Sequence, residues 1–156
     1  MTKQSYIIAA VVVVIIIIGA IYFFMMQPKD QGSNQPAMLS NNFTIQGMNV
    51  QVVAPGTGAE VKDGDKATVN YTGTLQNGTA FDSNTDPKFG HVQPFQFTVG
   101  AGQVIQGWDL GVAGMKVGEE RRLTIPANLA YGSQSPSPTI PANSILIFDV
   151  TLLKIN

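Results

Sequence analysis

The sequence predicts an α+β domain, an antiparallel sheet wrapped on one short helix, carried behind a single membrane-spanning helix. Three observations predict it: an unbroken apolar run near the N-terminus, alternation of β-branched or aromatic residues with polar ones through most of the rest, and one later stretch with helical spacing.

From Tyr6 to Met26 every residue is apolar or glycine (YIIAAVVVVIIIIGAIYFFMM). At about 1.5 Å rise per residue this is about 31 Å of helix, enough to cross a bilayer core. A cleaved secretory signal has an apolar stretch of about 7–15 residues followed by small residues. Here the run is longer and ends in Phe23, Phe24, Met25 and Met26, so an uncleaved signal anchor is expected. Tyr6 and Tyr22 stand near its two ends, where interfacial aromatics sit. Lys3 precedes the span and the nearly neutral pair Lys29 and Asp30 follows it, a bias that puts residues 1–5 in the cytoplasm and the body of the chain on the extracytoplasmic side. Residues 27–42 (QPKDQGSNQPAMLSNN) offer few side chains for a core and read as a flexible tether. Residues 43–156 then form one domain.

Within that domain, Phe43 to Val53 and Lys66 to Leu75 alternate in the manner of strands, the second with Ala67, Val69, Tyr71, Gly73 and Leu75 on one face. Asn77-Gly78 supplies positive-φ residues for a tight hairpin turn. Phe95, Phe97 and Val99 mark a third strand and Arg122 to Ile125 a fourth. A long last strand runs from Ser144 to Ile155, apolar enough on both faces for both to be covered. Between them Val104 to Ala113 places Ile105, Trp108 and Val112 on one helical face that can lie on the sheet.

Composition removes several classes of chemistry. The chain of 156 residues has no cysteine, which excludes disulfides, thiolate metal sites, a catalytic thiol and a thiol-linked lipid. A net charge of −1 leaves no basic footprint for nucleic acid. Only 12% of residues are charged, and without the membrane run the apolar share falls from 44% to about 36%, ordinary for a soluble domain. His91 is the single histidine, so no histidine cluster can hold a metal, and its place beside Gly90 reads as an exposed loop. Gly100-Ala101-Gly102 precedes a helix, but Ile105 stands where a dinucleotide fingerprint needs its third glycine. No cofactor is implied.

What remains is a set of aromatic and aliphatic residues where loops meet strands: Tyr71, Phe81, Phe95, Val104, Ile105, Trp108, Tyr131, Ile140 and Phe148, with the carboxylate Asp82 directly after Phe81. Taken singly, each is more commonly core than site. All but Phe95 and Ile140 fall in four stretches, VNYTGTLQNGTAFDS (Val69–Ser83), FTVGAGQVIQGWDLGVAGMKVGE (Phe97–Glu119), LTIPANLAYG (Leu123–Gly132) and LIFDVTLLKI (Leu146–Ile155). In this order they resemble the FKBP family of peptidyl-prolyl cis/trans isomerases, over a length from about Gly47 to Asn156.

The resemblance implies a half-barrel of five or six antiparallel strands around one helix, with a shallow apolar pocket that receives a proline ring. It implies Trp108 as the pocket floor, with Tyr71, Phe81, Phe95, Val104, Ile105 and Phe148 as walls. It also implies Tyr131 and the Ile105 N–H as donors to substrate carbonyls, Asp82 as the rim carboxylate and Ile140 as a flap contact. Tyr71, Phe81, Asp82, Trp108, Tyr131 and Phe148 are the catalytic candidates; Phe95, Val104, Ile105 and Ile140 are the substrate-binding ones. The implied partners are proline-containing polypeptides and the macrolide ligands of the family, together with the membrane through Tyr6–Met26.

Some positions depart from the family pattern. The segment from Asp82 to Phe95 is longer than in compact members and lacks the arginine that commonly partners the aspartate, leaving Lys88 as its expected stand-in. Gln103 replaces a common glutamate at the pocket edge, and the flap holds Pro136, Pro138 and Thr139. The expectation is a prolyl isomerase assisting folding outside the membrane. The alternative is a membrane-tethered module that captures proline peptides without turnover.

Overall fold

The computed structural model describes residues 41–156. The predicted cap 1–5, the membrane run Tyr6–Met26 and the tether up to residue 40 lie outside the described residues. Among the described residues no helix is long and apolar enough to cross a membrane.

Seven strands form one open antiparallel sheet. They are β1 (Asn42–Ile45), β2 (Met48–Ala54), β3 (Lys66–Leu75), β4 (Ala80–Ser83), β5 (Phe95–Thr98), β6 (Glu120–Ile125) and β7 (Leu146–Ile155). Their spatial order is β1-β2-β6-β7-β3-β4, with β5 also paired to β3. One helix, α1 (Gln106–Val112), lies between β5 and β6 in the chain. Seven strands replace the five or six that the resemblance implied, and two local causes explain the difference. The run Phe43–Val53 is a hairpin, because Gln46 (φ 49°) and Gly47 (φ 85°) both adopt left-handed backbone and reverse the chain. The segment after the Asn77-Gly78 turn returns as β4 along β3. In that turn only Gly78 has positive φ (84°), and Asn77 acts instead through its side chain, whose Oδ1 accepts from Thr79 N–H at 3.0 Å.

β7 pairs β3 over one edge and β6 over the other, so it is the centre of the sheet. Its residues alternate strictly: Leu146, Phe148, Val150 and Leu152 are buried, whereas Ile147, Asp149 and Thr151 are half-buried and Leu153 is exposed. The expectation that both faces of this strand are covered is therefore corrected. One face meets the helix, as an antiparallel sheet allows.

α1 packs on β6, and its glycines set the distance. A Cβ on Gly107 would stand 2.4 Å from Ile125 Cγ2, and one on Gly111 would stand 2.7 Å from Leu123 Cδ1. The buried helical face is Gly107, Trp108, Gly111 and Val112; Ile105, expected on that face, is the residue that caps the helix start. At the other end of α1, Arg121 from β6 donates from its guanidinium to the carbonyls of Gly111 (2.9 Å), Ala113 (3.1 Å) and Gly114 (3.0 Å). These are C-terminal carbonyls without helical partners, and Glu119 balances the buried charge. The core of Met48, Val50, Val69, Phe97, Leu123 and Val150 fills the space beneath.

Candidate functional site

The lower edge of this core opens into a pocket of about 210 Å³ lined by Tyr71, Phe81, Asp82, Phe95, Gln103, Val104, Ile105, Trp108, Tyr131 and Phe148. That is below the ~300–1,000 Å³ of drug-sized cavities and suits a group the size of one residue. Trp108, buried on α1, is surrounded by ring edges: Tyr71 at 5.2 Å between centroids and 82°, Phe148 at 5.3 Å and 89°, Phe95 at 6.0 Å and 81°. Edge-to-face packing of this kind holds each ring at a defined tilt. The Trp108 Nε1 is buried and has no hydrogen-bond partner among the described residues. Phe81 meets Phe148 edge-on at 5.5 Å, and Gly73 makes the room, because a Cβ there would stand 2.6 Å from the Phe81 ring.

Polar groups gather at the rim. The Tyr71 hydroxyl donates to Asp82 Oδ2 at 2.7 Å. Burial first, and then this bond to a carboxylate, push the Tyr71 phenol well above its ordinary range. Tyr131 is 38% exposed, and no described residue engages its hydroxyl, which leaves it available to an incoming carbonyl. Burial followed by the nearby Asp82 charge raises its phenol too, so both hydroxyls stay protonated at neutral pH. The other Asp82 oxygen, Oδ1, lies 2.9 Å from His91 Nε2. Lys88, the expected partner of Asp82, instead pairs with Asp86 at 2.9 Å. The loop turns through Pro87–Phe89 and left-handed Gly90 and delivers the histidine to the rim, while the lysine stays with Asp86.

Nine of the ten residues singled out in the sequence line this pocket. Ile140 does not: it is buried in the hydrophobic core, its N–H bonded to Ser137 O at 3.1 Å and its carbonyl held by Ser135 Oγ at 2.8 Å. Its role in the flap is to anchor the loop from inside.

Two supporting residues escaped sequence reasoning. Asn84, almost wholly buried, accepts from Tyr71 N–H at 2.7 Å and donates to Val69 O at 3.1 Å and Gln93 O at 3.0 Å. It bridges the gap on the β3 edge where β4 has ended and β5 has not begun. Asp109 accepts from Gly100 N–H (2.9 Å) and Gly102 N–H (3.0 Å), closing the turn that carries Gln103, Val104 and Ile105 into the wall. The Gly-Ala-Gly triplet is thus a turn held by a carboxylate, with both glycines at positive φ. An acidic residue in the first helical turn after such a triplet was the available signal.

The model of the FKBP-type peptidyl-prolyl cis-trans isomerase family matches residues 57–153, which include every pocket residue. The chain belongs to the FKBP family. It is 50% identical over 111 residues to FK506-binding protein 1 of Saccharomyces cerevisiae, covering 69% of this chain and 94% of the yeast protein. To the peptidyl-prolyl cis-trans isomerase Fkbp12 of Drosophila melanogaster it is 51% identical, covering 69% of this chain and 99% of the relative. FK506-binding protein 4 of Gibberella zeae is 52% identical over 129 residues, 83% of this chain but 24% of the fungal protein. Across three such fungal relatives the match spans 22–27% of their length. Among solved structures, a peptidyl-prolyl cis-trans isomerase of Pseudomonas syringae superposes with a TM-score of 0.64 at 27% identity, covering 74% of this chain and 81% of the other. In this chain the FKBP domain is an open antiparallel sheet with one helix, α1.

Proposed function

We propose that this chain is a peptidyl-prolyl cis/trans isomerase acting on proline-containing polypeptides, held to a membrane by Tyr6–Met26 with its catalytic domain on the extracytoplasmic side. The observation that carries the catalytic reading is the Trp108 floor ringed by the edges of Tyr71, Phe95 and Phe148 beneath a polar rim. Rotating an Xaa-Pro bond breaks no covalent bond but crosses about 18–20 kcal/mol, most of it lost amide resonance. The planar amide is strongly dipolar and the twisted form less so. A dry aromatic wall therefore disfavours the ground state more than the transition state. The Tyr131 hydroxyl offers a hydrogen bond to a substrate carbonyl, and Asp82 fixes Tyr71 in the wall. A rate gain of about 10⁵ asks for about 7 kcal/mol of such differential binding.

Family membership and relatives named for FK506 support a macrolide as a second occupant of the same pocket. The length and apolarity of Tyr6–Met26 support the anchor, and the Lys3 bias supports the orientation. Slow prolyl isomerisation limits the folding of many chains, which supports folding assistance outside the membrane as the physiological role.

The test is exchange NMR or a protease-coupled assay on Xaa-Pro peptides. Acceleration by the wild type that falls at least tenfold in Trp108→Leu and in Tyr131→Phe, each with an unchanged circular dichroism spectrum, is expected. Equal rates in all three would show that the wrong pocket has been identified. Protease accessibility of the domain in intact cells tests the orientation, and protection there overturns it.

A further inference from the structure

His91 is the single histidine of the chain and stands in the lengthened segment between β4 and β5. Each of its ring nitrogens faces an oxygen. Nε2 lies 2.9 Å from Asp82 Oδ1, and Nδ1 lies 2.8 Å from the carbonyl of Phe89. A backbone carbonyl can only accept, and so can an ionised carboxylate. A neutral imidazole carries one N–H; it satisfies one of these contacts and sets a lone pair against oxygen at the other. The imidazolium satisfies both.

The groups around this contact leave the charge on His91 to act on Asp82 alone. Asp86 and Lys88, in the same loop, pair with each other at 2.9 Å. From β3 the Tyr71 hydroxyl donates to the second Asp82 oxygen, and Tyr131 approaches the carboxylate as a protonated phenol. Asp82 is thus held from two sides, by His91 on Oδ1 and by Tyr71 on Oδ2. Tyr71 in turn packs edge-on against Trp108 at the pocket floor.

We propose that protonated His91 is a positioning residue of the isomerase pocket, holding Asp82 against Tyr71 so that the pocket works best when the imidazole is charged. The inference rests on the functional reading above. Imidazole is the side chain that changes charge between about pH 5 and 8, so the constellation has a pH response that an arginine at the same point would not have. On loss of the proton the ring keeps one of its two contacts, and the rim carboxylate loses its fixed direction.

The experiment uses the full-length chain in detergent micelles, untagged, with ¹³C-labelled histidine and ¹⁵N-labelled tryptophan. With one histidine and one tryptophan in the chain, the ring signals belong to His91 and Trp108 without ambiguity. In the wild type the Trp108 indole signal is expected to move with the same midpoint as the His91 ring signal. Over that range kcat/KM should fall about threefold as pH rises, the size expected for an exposed ion pair. His91→Arg should hold the acid-range rate at every pH, and His91→Gln should give the lower, alkaline rate at every pH. An indole signal that ignores the His91 titration overturns the proposal whatever the activity, and so does a His91→Gln profile that reproduces the wild type. A wild type inactive at every pH, with the indole still following His91, overturns the functional reading and leaves the positioning contact supported.

Discussion

The side chain of Asn84 pairs with the backbone of Tyr71 as a strand residue would: Oδ1 accepts from Tyr71 N–H at 2.7 Å, while Asn84 N–H donates to Tyr71 O at 3.2 Å. β3 needs a partner at this point because β4 ends at Ser83 and β5 starts at Phe95. The direction of the Tyr71 ring, and with it one wall of the pocket, follows from this pairing.

Replacing Asn84 by leucine should therefore cost both stability and function. Tyr71 N–H, Val69 O and Gln93 O lose their partner in a buried place, and each orphaned group costs about 1–3 kcal/mol. Urea denaturation followed by Trp108 fluorescence should show a loss of at least about 2 kcal/mol. A loss under 0.5 kcal/mol would mean that water replaces the amide without penalty.

Helix α1 offers a test in which two effects compete in sign. Glycine to alanine inside a helix ordinarily stabilises by roughly 0.5–1 kcal/mol. At Gly111 the new methyl would meet Leu123 at 2.7 Å, and overpacking costs about 1–3 kcal/mol. Gly111→Ala should thus destabilise, and Gly107→Ala, against Ile125 at 2.4 Å, should do so as well. A rise in the urea midpoint for either would show that the helix can move away from β6 at little cost.

Arg121 should be among the most sensitive positions remote from the pocket. Arg121→Met leaves Glu119 buried without its cation and three carbonyls at the end of α1 without donors. Breaking one side of a buried pair costs about 3–5 kcal/mol. The more exposed pair Arg122–Asp149, between β6 and β7, is the internal control: Arg122→Met should cost about 1 kcal/mol or less.

Alkaline titration reports the Tyr71–Asp82 bond directly. Burial, then the bond to Asp82, raise the folded-state phenol above the ordinary value near 10. A raised folded value contributes stability that is complete below the ordinary value and lost as pH rises past it toward the folded one. Ultraviolet absorbance should show Tyr71 and Tyr131 both ionising later than an ordinary tyrosine, with the later of the two steps absent in Tyr71→Phe. Asp82→Asn should bring that step to lower pH, since the bond and the charge both favour the protonated phenol. An unchanged titration in Asp82→Asn would refute the coupling.

Sequence periodicity located β3, β5 and β6 and the position of α1, because each buries one face and leaves that pattern in the chain. It was weaker where one local turn decides the outcome. Nothing in the alternation of Phe43–Val53 announces a reversal at Gln46-Gly47, since both arms of the hairpin keep the period of two.

The aromatic pocket residues are legible through the resemblance of ordered stretches to the FKBP family, since taken singly each reads as core. The resemblance puts Ile140 at the pocket, and packing carries it into the core. The partner of Asp82 was beyond the reach of any pattern. Lys88 and His91 both lie within reach along the chain, and charge alone favours the lysine. Which of them meets the carboxylate depends on the turn through Pro87–Phe89 and the left-handed Gly90, which leaves Lys88 beside Asp86 and turns His91 onto Asp82. Composition and periodicity determined the fold class, because that follows from which residues must be buried; the aromatic pocket was legible only through the resemblance that four ordered stretches carry. The direction of hydrogen bonds at the rim depends on loop geometry, and only the tertiary structure decided it.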